Sequence, residues 1–229
     1  DMDRVEALVE ADDSIKGMWC VPRFANPNGC VYSDDTVERI ARLGKIAAPQ
    51  FLVMWDNAYA VHALYQDAPS LAPLHAHCEK YGTLDNVFQF GSTSKVTFAG
   101  AGISFLSSSA DNLAALKQHL GFQTIGPDKV NQLRHVRFLK NPANLASHMS
   151  QHAALIRPRF ECVLNTLERG LDGLGMGSWS KPRGGYFISF ETLPGLAKRV
   201  VALAGDIGVK LTPAGATFPY GEDPNDSNI

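Results

Sequence analysis

Three short apolar runs with little polar alternation limit what this chain can fold into. They are KGMWCVP at Lys16 to Pro22, FLVMWD at Phe51 to Asp56, and NVFQF at Asn86 to Phe90. A strand with one wet face alternates polar and apolar residues, whereas a run apolar on both faces belongs in the middle of a covered sheet. Between the runs the period changes. DDTVERIARLGKIA, Asp34 to Ala47, carries apolar residues at helical spacing with acids at its start. LAPLHAHCEKYG predicts a helix that Gly82 caps. GISFLSS, Gly102 to Ser108, reads as a fourth strand. Strand, helix, strand, helix, strand is the pattern of an α/β protein with a mostly parallel sheet.

After Ala110 the character changes. DNLAALKQHLG, DKVNQLRHVRFL and a long stretch from Pro142 to Gly170 read as helices. SWSKPRGGYFISFE, Ser178 to Glu191, predicts a β-hairpin. LPGLAKRVVALAGDIG then reads as a helix and VKLT, Val209 to Thr212, as a last short strand. The expected organisation is an α/β domain over residues 1–140 and a smaller, incomplete α+β domain over 141–229.

Composition excludes some functions. The chain has 229 residues, 45% of them apolar, and a formal net charge of -2, with no basic patch to suit a nucleic acid. No apolar run reaches the roughly 20 residues that span a bilayer. The acidic opening DMDRVEALVEADD is no signal peptide. Cys20, Cys30, Cys78 and Cys162 form no paired motif, so reduced thiols and a cytoplasmic location are expected. The chain opens without methionine in what reads as a helix and stops at NDSNI. It is therefore expected to be a piece of a longer protein, with an uncovered apolar sheet face.

The polar residues gather at strand ends. In an open α/β sheet, ligands bind outside the carboxyl ends of the strands. The first strand runs on to Asn26-Pro27-Asn28-Gly29, the second ends in Asp56-Asn57-Ala58-Tyr59, and the third in Ser92-Thr93-Ser94-Lys95. A lysine amine can form a Schiff base with an aldehyde, and an aspartate can keep a pyridine nitrogen protonated. A tyrosine hydroxyl and an asparagine amide can hydrogen-bond a phenolate oxygen, and serines can bind a phosphate. Together these groups specify pyridoxal 5'-phosphate.

With these residues the chain resembles a fold type I, PLP-dependent aminotransferase. NPNG is similar to that family's Asn-Pro-x-Gly motif, DNAY to its Asp-x-x-Tyr, STSK to its Ser-x-x-Lys, and PRGGYF to its Pro-x-Gly-Gly-x-Phe strand. SKVTFAGAGISF and ATFPYGEDPNDSNI resemble more specifically a bacterial aspartate aminotransferase-like subgroup. The resemblance implies a three-layer large domain, of which residues 1–140 are the second half, followed by the small domain. It implies ping-pong transfer of an amino group between an amino acid and a 2-oxo acid, in a homodimer. By position, Lys95 would form the internal aldimine and shuttle the proton. Asp56 would pair with the pyridine nitrogen, Tyr59 and Asn26 with O3′, and Ser92 and Ser94 with the phosphate.

There are departures and competing readings. Many relatives carry an arginine for the phosphate eight residues after the lysine; here that position is Ile103. The arginine for the substrate carboxylate would fall beyond Ile229. Another fold type I enzyme, a lyase or decarboxylase, would share Lys95, Asp56 and Tyr59, and so would the effector domain of a MocR-type regulator. His75-x-His77-Cys78 is poorly spaced for zinc, so no metal is expected. GLDGLGMG reads as a turn rather than a phosphate loop. Arg183 reads as a surface residue that could instead face a substrate.

Overall fold

The computed structural model describes residues 1–229, which divide into two compact units. The first comprises Asp1–Arg23, Cys30–His62 and Pro69–Ser150. The second comprises Phe24–Gly29, Ala63–Ala68 and Gln151–Ile229.

In the first unit β1 (Gly17–Cys20), β2 (Leu52–Asp56), β3 (Val87–Ser92) and β4 (Ser104–Ser107) form one sheet in that order. The pairs β1–β2 and β2–β3 are parallel, and β4 is antiparallel to β3. The fold is mixed α/β with a mostly parallel sheet. Side chains alternate along β2, with Val53 and Trp55 buried and Leu52, Met54 and Asp56 half-buried. The buried side packs against α1 (Met2–Ala11), α2 (Asp34–Arg42) and α3 (Leu74–Tyr81). The opposite side carries Trp19, 64% exposed, stacked on Phe90 at 6.0 Å.

The helices form for local reasons. Ser33 accepts from the Thr36 amide to cap α2, whose Val37, Ile40 and Ala41 recur on one buried face. Gly82 ends α3 in the left-handed region at φ 63°, as predicted. Two further helices of this unit, α4 (Ala110–Gln123) and α5 (Lys129–Leu139), are capped by Ser109 and Asp128.

The second unit holds most of α6 (Pro142–Leu171), then β5 (Gly177–Trp179), β6 (Phe190–Thr192) and α7 (Ala197–Asp206). The expected hairpin over Ser178–Glu191 is present: β5 and β6, three residues each, pair antiparallel with Ser178 opposite Glu191, and a long connection that contains the PRGG turn joins them. One expectation needs correction. Val209–Thr212 is not a strand. The Val209 amide is taken by the Ala204 carbonyl behind α7, and β6 pairs instead with the chain end, where Phe190 and Ile229 exchange both backbone hydrogen bonds at 2.9 Å. A strand exists only where a partner edge is open, which local composition does not reveal.

Two measurements check this core. Cys20 and Cys78 are fully buried, and burial pushes the Cys20 thiol up to about 12. Thiolate is the reactive form, so both should resist a thiol reagent until the protein is unfolded. Glu38 of α2 accepts from the Tyr81 hydroxyl and from Lys80 Nζ at 2.9 Å, which holds its carboxyl at about 2, below its ordinary 4.5. Its folded value is depressed, so its contribution is present above about pH 4.5 and is lost as pH falls through about 2. The stability gap between wild type and Glu38→Gln, read from urea unfolding, should narrow over that window.

Candidate active site

The site is built at the carboxyl ends of two parallel strands. Asp56 is the last residue of β2 and stands opposite Phe90 of β3. Trp55 before it is buried, so Asp56 points to the other face of the sheet. Beyond Asp56 the chain turns. The Asn57 amide donates to the Phe90 carbonyl at 3.1 Å, and the His62 amide to the Tyr59 carbonyl at 3.1 Å. This turn buries Tyr59 and His62.

β3 ends at Ser92, and its continuation is a second turn. The Val96 and Thr97 amides both donate to the Thr93 carbonyl, at 2.9 and 2.8 Å. Ser92 and Ser94 face each other, Oγ to Oγ at 3.0 Å, and the Ser94 amide donates to Ser92 Oγ at 3.1 Å. Lys95 is exposed, with Nζ 5.0 Å from the centre of the Tyr59 ring. A cation over an aromatic face is favoured by the ring quadrupole. The first unit thus gathers an amine, a phenol, a carboxylate and two hydroxyls on adjacent strand ends.

Ile103 has its backbone committed to this turn. Its amide donates to Thr93 Oγ1 at 2.9 Å, and its carbonyl accepts from the Thr93 amide at 2.9 Å. Gly102 beside it leaves no room for a side chain, because a Cβ would lie 2.6 Å from the Ser94 nitrogen.

Asn26 belongs to the second unit, where it is exposed and joined to Pro27 by a cis peptide. There the NPNG and PRGG motifs meet. A Cβ on Gly29, at φ 70°, would lie 2.3 Å from Pro182 Cβ, and one on Gly185 would lie 2.9 Å from Phe24 Cβ. Arg183 is ion-paired with Asp67 and lies 3.8 Å from the centre of the Tyr65 ring. His75 reaches Glu79 at 3.7 Å, and Cys78 lies in the core. GLDGLGMG forms turns at Gly173 and Gly175, with φ of 74° and 64°.

Sequence reasoning missed the groups that hold the lysine turn. His62 donates from Nε2 to the Lys95 carbonyl at 3.1 Å, and His148 from Nε2 to the Val96 carbonyl at 2.8 Å. His135 Nε2 meets Thr97 Oγ1 at 2.9 Å. The one available signal was spacing: His62 follows Tyr59 by three residues, as Tyr59 follows Asp56.

Gly102→Ala should force the Ser94 backbone to move, at a cost of about 1–3 kcal/mol in unfolding free energy measured with urea. An unchanged midpoint would mean that the turn is loosely held.

The comparisons with known proteins agree on the architecture. An aspartate aminotransferase from Corynebacterium glutamicum is 43% identical over 229 residues, which are all of this chain and 52% of that protein. The crystal structure of an aspartate transaminase from that species superposes with a TM-score of 0.95 at 43% identity, covering all of this chain and 53% of the other. An α-aminoadipate aminotransferase from Thermus thermophilus, complexed with N-(5'-phosphopyridoxyl)-L-leucine, shares the fold at a TM-score of 0.81 and 21% identity, over all of this chain and 57% of its own. The chain spans about half the length of the relatives it matches. The family model described as aspartate amino-transferase matches residues 1–229, so strand ends, turns and relatives converge: the chain belongs to the aspartate aminotransferase family.

Proposed function

We propose that the whole protein is a PLP-dependent aminotransferase that moves an amino group between an amino acid and a 2-oxo acid. The observation that carries this reading is Lys95 Nζ poised over Tyr59, on the strand ends that also carry Asp56 and Ser92. The donor set fits pyridoxal phosphate group by group: an amine for the aldehyde, a carboxylate for the pyridine nitrogen, a phenol for the ring oxygen, and hydroxyls for the phosphate. When bound, that cofactor supplies an electrophilic carbon and a ring that accepts the electron pair released at the substrate α-carbon.

The residues of the chain do the rest. Lys95 Nζ would hold the aldehyde carbon of the cofactor and, once displaced from it by the substrate amine, would carry the proton away from the substrate α-carbon and back to the cofactor side. The Asp56 carboxylate would hold a proton on the ring nitrogen by charge. Tyr59 would donate to the ring oxygen, a role that the NPNG motif also offers through Asn26. Ser92 and Ser94 Oγ, 3.0 Å apart, would bind phosphate oxygens, since Ile103 offers no charged group there.

A homodimer in the cytoplasm suits the surface. Phe122, Ile125, Val130, Val136 and Phe138, on α4, α5 and the turn between them, are all more than half exposed, an apolar content that a second copy would cover. All four cysteines are free, and no helix is long and apolar enough to cross a membrane.

The test uses the full-length protein. Lys95→Ala should abolish the visible absorbance band of lysine-bound cofactor and cut transamination of aspartate with 2-oxoglutarate by roughly a thousandfold or more. A band and rate that survive the substitution would overturn the assignment.

A further inference from the structure

The turn that carries Lys95 is gripped at three successive residues by imidazoles from three separate segments. His62, from the turn after β2, donates to the Lys95 carbonyl at 3.1 Å. His148, in the opening turns of α6, donates to the Val96 carbonyl at 2.8 Å. His135, on α5, faces Thr97 Oγ1 at 2.9 Å and donates from Nδ1 to the Asn131 carbonyl at 2.9 Å. A carbonyl oxygen can only accept, so Nε2 of His62 and of His148 must carry a proton. No helix follows Lys95 to provide these carbonyls with backbone donors.

His62 does more than satisfy a carbonyl. It is 4% exposed, and its ring meets the Tyr59 ring edge-on at 5.7 Å and 80°. Tyr59 in turn lies beneath Lys95 Nζ. One imidazole therefore touches the root of the lysine and the aromatic ring on which its amine rests. A lysine side chain has four rotatable bonds, so its amine is only as well placed as its backbone and its lateral contacts make it.

We infer that His62, seconded by His148 and His135, is a positioning residue that sets where the Lys95 amine stands. This rests on the reading of Lys95 as the point of cofactor attachment. A reactive amine held by its surroundings loses less freedom when it reaches the carbon it attacks. The hydrogen bond supplies that hold from within the first unit.

The experiment compares His62→Phe, His62→Gln and His148→Phe in the full-length protein. Glutamine can place an amide donor near the Nε2 position, and phenylalanine keeps ring volume without a donor. In His62→Phe, kcat should fall roughly tenfold to a hundredfold with KM within about twofold. Capture of pyridoxal phosphate by the apoprotein should slow, and the visible circular dichroism of the bound cofactor should weaken. His62→Gln should restore most of each. His148→Phe should reproduce the loss more mildly, and it carries the test if His62→Phe does not fold. Equal losses in His62→Phe and His62→Gln, or unchanged capture and dichroism in both phenylalanine variants, would overturn the clamp. Those results leave the cofactor band sensitive to Lys95→Ala. A band that survives Lys95→Ala would instead overturn the reading of Lys95, and the clamp with it.

Discussion

Burial of Trp55 is the constraint from which the site follows. Its side chain is 1% exposed in a core shared with Val37, Ile40, Leu74 and Cys78. Burying such a side chain is worth about 2–3 kcal/mol. Strand residues alternate faces, so seating Trp55 in the core turns Asp56 to the opposite face. A slip of one residue in the β2 register would bury the carboxylate and expose the indole. Parallel pairing of Asp56 with Phe90 then brings the end of β2 level with the end of β3, two residues short of Ser92. The chemistry occupies the place that the packing leaves to it.

Backbone hydrogen bonds close both turns beyond those strands, and side chains from distant segments further hold the Thr93–Thr97 turn. Gly102 and Thr93 complete that support, one by lacking a side chain and the other by bonding both to Ile103 and within the turn. In the second unit a similar economy joins NPNG to PRGG, since Gly29 and Gly185 let neighbouring atoms approach where a Cβ would collide.

Much of this was legible in the chain. The strands at residues 17–20, 52–56 and 87–92 coincide with apolar runs, and α2 and α3 with helical periodicity closed by recognisable caps. The expectation that failed is one that needed a partner. VKLT has the composition of a strand but no edge to join, because the chain end at Asn228–Ile229 already pairs with β6. SWSKPRGGYFISFE does form the expected hairpin, its two ends pairing antiparallel across ten middle residues that carry the PRGG turn.

The sequence by itself determined the chemistry on offer: a lysine after two serines, an aspartate three residues before a tyrosine, and apolar runs that place each at a strand end. Those are local properties, set by residue type and spacing. Only the tertiary structure decided that Lys95 Nζ lies over Tyr59 and that His62, His135 and His148 converge on one turn. These histidines are separated by 73 and 13 residues along the chain (135 − 62 and 148 − 135), and no periodicity links them. Their hydrogen bonds exist because the packing of helices and sheet brings three segments to the same turn. Such long-range geometry is a property of the folded chain as a whole.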